Sequence, residues 1–122
     1  MVYTAASTSL AMLEMLVHLE LEDLRNEYVL FEATFDSSLV SEVDLVRLPK
    51  GWQTWPSPAA LREVGDGWVA GVKSPVLRVP SAVVATEFNY LLNPGHEDFG
   101  MISIGPVREM AFDPRLAKKL TP

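Results

Sequence analysis

The chain has 122 residues, 48% of them hydrophobic and 21% charged, with a formal net charge of −6. That length predicts one domain with a single modest core, and the acidic balance excludes direct recognition of a phosphate backbone, which draws on concentrated Lys and Arg. With no cysteine and only His18 and His96, disulfide and thiolate chemistry are excluded, and a metal site would have to rely on carboxylates and is not expected.

Residues 3–6 predict a short strand that hands over to a helix capped by Ser7 or Ser9, whose hydroxyls can satisfy orphan backbone N–H groups. The helix is expected to run to about Leu21 and, being apolar on most sides, to lie buried against a sheet. Residues 28–35 are rich in β-formers and predict a strand, with a further short extended piece at 43–48 stopped by Pro49. Residues 51–56 read as loop. Ser57 and Pro58 then supply an N-cap and a first-turn proline for a second helix, with Leu61, Val64 and Trp68 on its buried side and Gly65 and Gly67 weakening its middle. A strand at 76–79 ends at Pro80, Ser81 marks a turn, and 82–84 continue the strand. Residues 87–96 read as a polar and aromatic loop closed by Asn93-Pro94-Gly95. Residues 101–104 and 107–112 predict a hairpin around Gly105-Pro106, followed by a short polar tail. This order predicts an α+β domain with a mainly antiparallel sheet. No apolar run approaches the roughly 20 residues of a membrane span, and no leader signature is evident at the start; the expectation is a cytoplasmic protein with no membrane contact.

Within the first helix, the run Leu10-Ala11-Met12-Leu13-Glu14-Met15-Leu16-Val17-His18 strands one carboxylate among apolar neighbours. Helical spacing surrounds Glu14 with Leu10, Ala11, Val17 and His18. A carboxylate there is costly unless it is paired or performs a task. The bland alternative turns Glu14 to solvent, but Glu20, Glu22, Asp23 and Arg25 come only after the run, so no polar stripe absorbs it. Both readings stay open on pattern alone.

Three stretches, in this order and spacing, resemble the RES domain, the toxin half of bacterial Xre–RES toxin–antitoxin pairs: Val2-Tyr3-Thr4-Ala5 with Leu10 to Glu14 and His18; Leu77-Arg78-Val79-Pro80-Ser81; and Asn89-Tyr90-Leu91-Leu92-Asn93-Pro94-Gly95-His96. Gly65-Asp66-Gly67-Trp68 and Phe112-Asp113-Pro114-Arg115-Leu116 fit as well. The resemblance implies a fold like that of ADP-ribosyltransferases, a split and mainly antiparallel sheet with flanking helices around a cleft for NAD. It implies NAD as a substrate that is consumed, with no resident cofactor, by cleavage of the nicotinamide–ribose bond and passage of ADP-ribose to water, phosphate or a protein. Carried over residue by residue, Glu14 is the family glutamate, Ser81 the family serine, both catalytic and NAD-binding, and Tyr3 the cleft tyrosine that packs on NAD. The family arginine and a Gly-Arg-Trp motif have no counterpart here, so an N-terminally truncated RES domain is expected. An Xre-type helix-turn-helix antitoxin and a homodimer are the implied partners, with an antitoxin tail plugging the cleft.

Each residue also has a plainer reading. By composition Tyr3 is a half-buried strand tyrosine and Ser81 a turn residue. His18 reads as a packing or pairing partner of Glu14, and Asn89, Tyr90 and Asn93 as residues that fix the loop walling the cleft. His96 is expected at the surface, and Trp52, Trp55 and Trp68 as core or interface anchors. Two further functions compete with the NAD-consuming toxin: a catalytically inactive fragment that binds only protein partners, and an unrelated small-molecule-binding α+β domain.

Overall fold

A computed structural model describes residues 1–44, 48–53, 59–71 and 73–120. The chain enters as strand β1 (Val2–Ala5), and Ser7 then caps helix α1 (Thr8–Leu16), its extended backbone letting the hydroxyl accept from the Leu10 N–H. The helix ends at Leu16, short of the expected Leu21. Glu20 and Asp23 explain the early stop: Asp23 accepts from the Glu20 N–H at 2.9 Å, a capping box that starts a separate 3₁₀ turn at Leu21–Arg25. The helix is also less buried than its apolar run suggests. It packs on edge strand β1, so Leu10 is 1% exposed while Leu13 and Val17 stay exposed.

The predicted strand at 28–35 is two strands, β2 (Tyr28–Leu30) and β3 (Ala33–Thr34), followed by β4 (Val40–Glu42), which precedes the extended piece expected at 43–48. Helix α2 spans Ala59–Gly71; the Ser57–Pro58 cap, Trp55 and the side chain of Leu61 lie outside what the structure describes. Strand β5 (Val76–Pro80) matches the expected strand, but residues 82–84 form a turn instead of extending it. The largest revision is β6 (Phe88–Leu92), which was expected to be loop and is a central strand. Beyond it, β7 (Ser103–Ile104) and β8 (Arg108–Met110) do not pair with each other as the expected hairpin would. They pair with β3 and β2. Residues 31–32 there face residues 105–107, an unequal count that makes a bulge where the Gly105 N–H donates to the Glu32 carbonyl at 2.7 Å. The tail forms helix α3 (Arg115–Leu120).

The main sheet has the order β1-β6-β5-β4, antiparallel except for the parallel β4–β5 pair. The fold is α+β with a mainly antiparallel sheet. One face carries Val76 and Leu92, which pack with Leu39, Ile102, Phe35 and Tyr90. The other carries Leu77 and Leu91 against Trp68 of α2, whose indole N–H donates to Ser74 Oγ at 3.1 Å. His96 is buried, with Nδ1 accepting from the Asp98 N–H at 2.9 Å, so it serves the Asn93 turn and is not a surface residue. Among the described residues no helix is long and apolar enough to cross a membrane.

Candidate active site

Strand pleating and register decide which side chains meet. Tyr3 aligns with Leu91 and Leu77, and Ala5 with Asn89 and Val79, so these six share one face of the sheet. That face floors a cleft of about 780 Å³, within the rough 300–1,000 Å³ range of small-molecule sites. Helix α1 supplies one wall through Glu14, continued by Val17 and His18 just past its end, and α2 supplies another through Val64, Gly65 and Asp66. Trp52 and Gln53 close a third side, and Ala82 and Val83 reach in from the turn after β5. A second cavity of about 550 Å³ meets the first at Tyr3, Glu14, His18 and Asn89.

Glu14 is half-buried where the two cavities adjoin. Its Oε1 accepts two hydrogen bonds, from Ser81 Oγ at 2.6 Å and from Asn89 Nδ2 at 2.8 Å. Bonds of this kind to a carboxylate are short and contribute about 1.5–3 kcal/mol each, which offsets the apolar surroundings of the helix.

Ser81 is 0% exposed and is absent from the described lining of both cavities. A hydroxyl has one donor and two acceptor positions, and all three are engaged. The O–H goes to Glu14, while Oγ accepts from the Val83 and Val84 N–H groups at 3.1 and 3.0 Å. Local sequence accounts for this geometry. Pro80 has no N–H and ends the strand, and the serine behind it caps the turn, closed again by the Ser81 N–H on the Glu87 carbonyl. Tyr3 is 72% exposed at the cleft edge.

Glu14 and Tyr3 thus line one cleft, and Ser81 is held against the Glu14 carboxylate without lining it. Asn89, expected to fix a loop, instead projects from β6 onto the carboxylate. Its signal in the sequence was an amide between two aromatic residues, Phe88 and Tyr90. Arg78, close to Ser81 in sequence, alternates onto the opposite face. There it stacks 3.6 Å from the Phe88 ring centroid and pairs with Glu42 at 2.7 Å, a hydrogen bond that raises its pKa further. The described residues lining the larger cleft carry Glu14, Asp66 and His18 but no Lys or Arg.

A carboxylate of α1 held by two donors where two cavities adjoin, over a mainly antiparallel sheet, defines an α+β protein with a cleft of small-molecule size. The chain belongs to the RES domain family, whose model matches residues 1–113. It is 39% identical to the protein named Toxin Res of Yersinia enterocolitica, over 94% of this chain and 76% of that protein. Toxin Res of Photorhabdus laumondii is 35% identical, over 96% of this chain and 76% of that one. A relative from Sphingobium, named Prs ADP-ribosylating toxin, is 33% identical over 97% of this chain and 75% of its own length. The chain is therefore similar to named toxins along most of its length.

Proposed function

We propose that this protein is an NAD-consuming toxin of a bacterial toxin–antitoxin pair, cleaving the nicotinamide–ribose bond and passing ADP-ribose to an acceptor. The observation that carries the reading is the Glu14 carboxylate, fixed by Ser81 and Asn89 beside the exposed Tyr3. Bound NAD has a cationic nicotinamide ring, and an anionic wall with an adjacent phenol ring suits it through Coulomb attraction and cation–π contact. Cleavage sends the bonding pair to the nicotinamide nitrogen, releases neutral nicotinamide and leaves positive charge on the ribose C1 and ring oxygen. Glu14 stabilises that charge. The acceptor's lone pair then bonds to C1 while its proton leaves to Glu14 or water. The two cavities adjoining at Glu14 give leaving group and acceptor separate approaches. Ser81 contributes by holding Glu14, since its own hydroxyl is fully engaged.

The relative named as ADP-ribosylating favours this chemistry. By the same reading the protein works as a cytoplasmic homodimer restrained by an Xre-type helix-turn-helix partner whose tail enters the cleft. Incubation with NAD and chromatography of the products tests the proposal: nicotinamide is released in step with NAD loss. A second reading, a module that only binds protein partners, is favoured by the lack of Lys and Arg among the described lining residues, since a diphosphate calls for them. Calorimetric titration with NAD separates the two, because micromolar binding contradicts the module.

Tyr3→Ala weakens NAD binding about tenfold, the equivalent of 1.4 kcal/mol. It leaves the melting temperature unchanged, because the ring is 72% exposed. Unaltered affinity would remove Tyr3 from the site.

A further inference from the structure

Asn89 sits badly for a strand residue. Asparagine is disfavoured in strands, and on the cleft face its cross-strand neighbours are Ala5 and Val79, with Leu91 two positions along. Nδ2 donates to Glu14 Oε1, but Oδ1 is buried with no hydrogen-bond partner among the described residues. A buried acceptor left unpaired carries an uncompensated desolvation penalty. An apolar side chain of similar size would suit these neighbours better. The feature an apolar side chain cannot reproduce is the bond to Glu14.

We infer that Asn89 is a positioning residue, acting on the reaction only through Glu14 and bringing the fold no net gain, since the unpaired Oδ1 offsets the bond to the carboxylate. The geometry explains why one donor is not enough. Ser81 and Asn89 approach the same oxygen from β5's end and from β6, elements 67 and 75 residues away in sequence from Glu14. One bond leaves the carboxylate free to swing about it. Two bonds from different strands fix the plane of the group, and with it the direction of Oε2. Tight geometry of this kind is what a preorganised electrostatic contact requires. An aspartate at 89 would set a second carboxylate against the first, and a leucine would offer no donor.

The inference rests on the proposed NAD cleavage for its kinetic part and on the fold alone for the rest. A double-mutant cycle with Asn89→Leu, Glu14→Ala and the pair tests both. Asn89→Leu lowers kcat for nicotinamide release about tenfold with KM for NAD within twofold, and in the Glu14→Ala background it changes kcat less than twofold. An equal tenfold loss in that background, or a raised KM at constant kcat, would show Asn89 acting on NAD itself and overturn the inference. Thermal unfolding supplies the second readout: Asn89→Leu melts within about 3 °C of the wild-type temperature, because the lost bond to Glu14 is offset by removal of the unpaired Oδ1. Melting several degrees lower would show that the amide is structural and overturn it equally. If the wild-type protein releases no nicotinamide, NAD cleavage fails as a function. The positioning role then stands or falls on melting and on NMR, where the Asn89 side-chain amide protons shift in Glu14→Ala; an unmoved resonance contradicts it.

Discussion

Replacing Glu14 by glutamine lowers kcat for nicotinamide release about a hundredfold, in line with the 10²–10³ lost when a preorganised electrostatic contact is removed. Glutamine keeps the shape and an acceptor oxygen for Ser81 and Asn89, so the helix and turn should stay in place; only the negative charge is removed. The substitution therefore isolates the charge–charge part of the contact with the developing ribose cation. Steady-state release assays give kcat, and titration with NAD gives affinity, which is expected to change by only a few fold because most of the loss appears in the transition state. Turnover within threefold of wild type would remove Glu14 from the chemistry.

The second large effect concerns the sheet that carries the site. Leu92 is 2% exposed and packs with Leu39, Val76 and Ile102 on the face opposite the cleft. Truncation to alanine leaves a cavity and costs about 2–5 kcal/mol, a large share of the roughly 5–15 kcal/mol that holds a domain of this size. Urea unfolding of Leu92→Ala should show a lowered midpoint with an unchanged slope. The exposed Leu13 gives the control: its replacement by alanine changes stability by less than about 0.5 kcal/mol. A loss below about 1 kcal/mol for Leu92→Ala would mean that Leu92 is not packed in this core. Because β6 also bears Asn89 and Leu91, this core supports the cleft floor as well as the fold.

How much of this was legible before the structure varies by element. The Glu14 anomaly was, because three and four residue spacing on a helix is local and needs no tertiary knowledge. The Ser7 cap and the Asn93 turn were also local, and the Asn93 side chain does accept from the Gly95 N–H at 3.0 Å. Strand β6 was not legible. Both of its faces are covered, Leu91 by α2 and Tyr90 and Leu92 by the opposite core, so no alternation of polar and apolar residues marks it. The Gly105-Pro106 pair suggested a hairpin turn and instead forms a bulge in a ribbon whose two strands come from distant parts of the chain. Composition alone also gave no sign that Ser81 and Asn89 meet on one oxygen. Resemblance supplied Ser81, but the exhaustion of its hydroxyl by three hydrogen bonds is a property of the folded turn.

The proposed NAD cleavage requires the Glu14 carboxyl to face the scissile bond. A crystal structure of the Glu14→Gln protein soaked in NAD tests it most directly. The nicotinamide ring is expected against Tyr3, with the nicotinamide-bearing ribose within hydrogen-bond reach, about 3 Å, of the residue 14 side chain. A dinucleotide seated elsewhere on the surface, with residue 14 facing solvent, would contradict it.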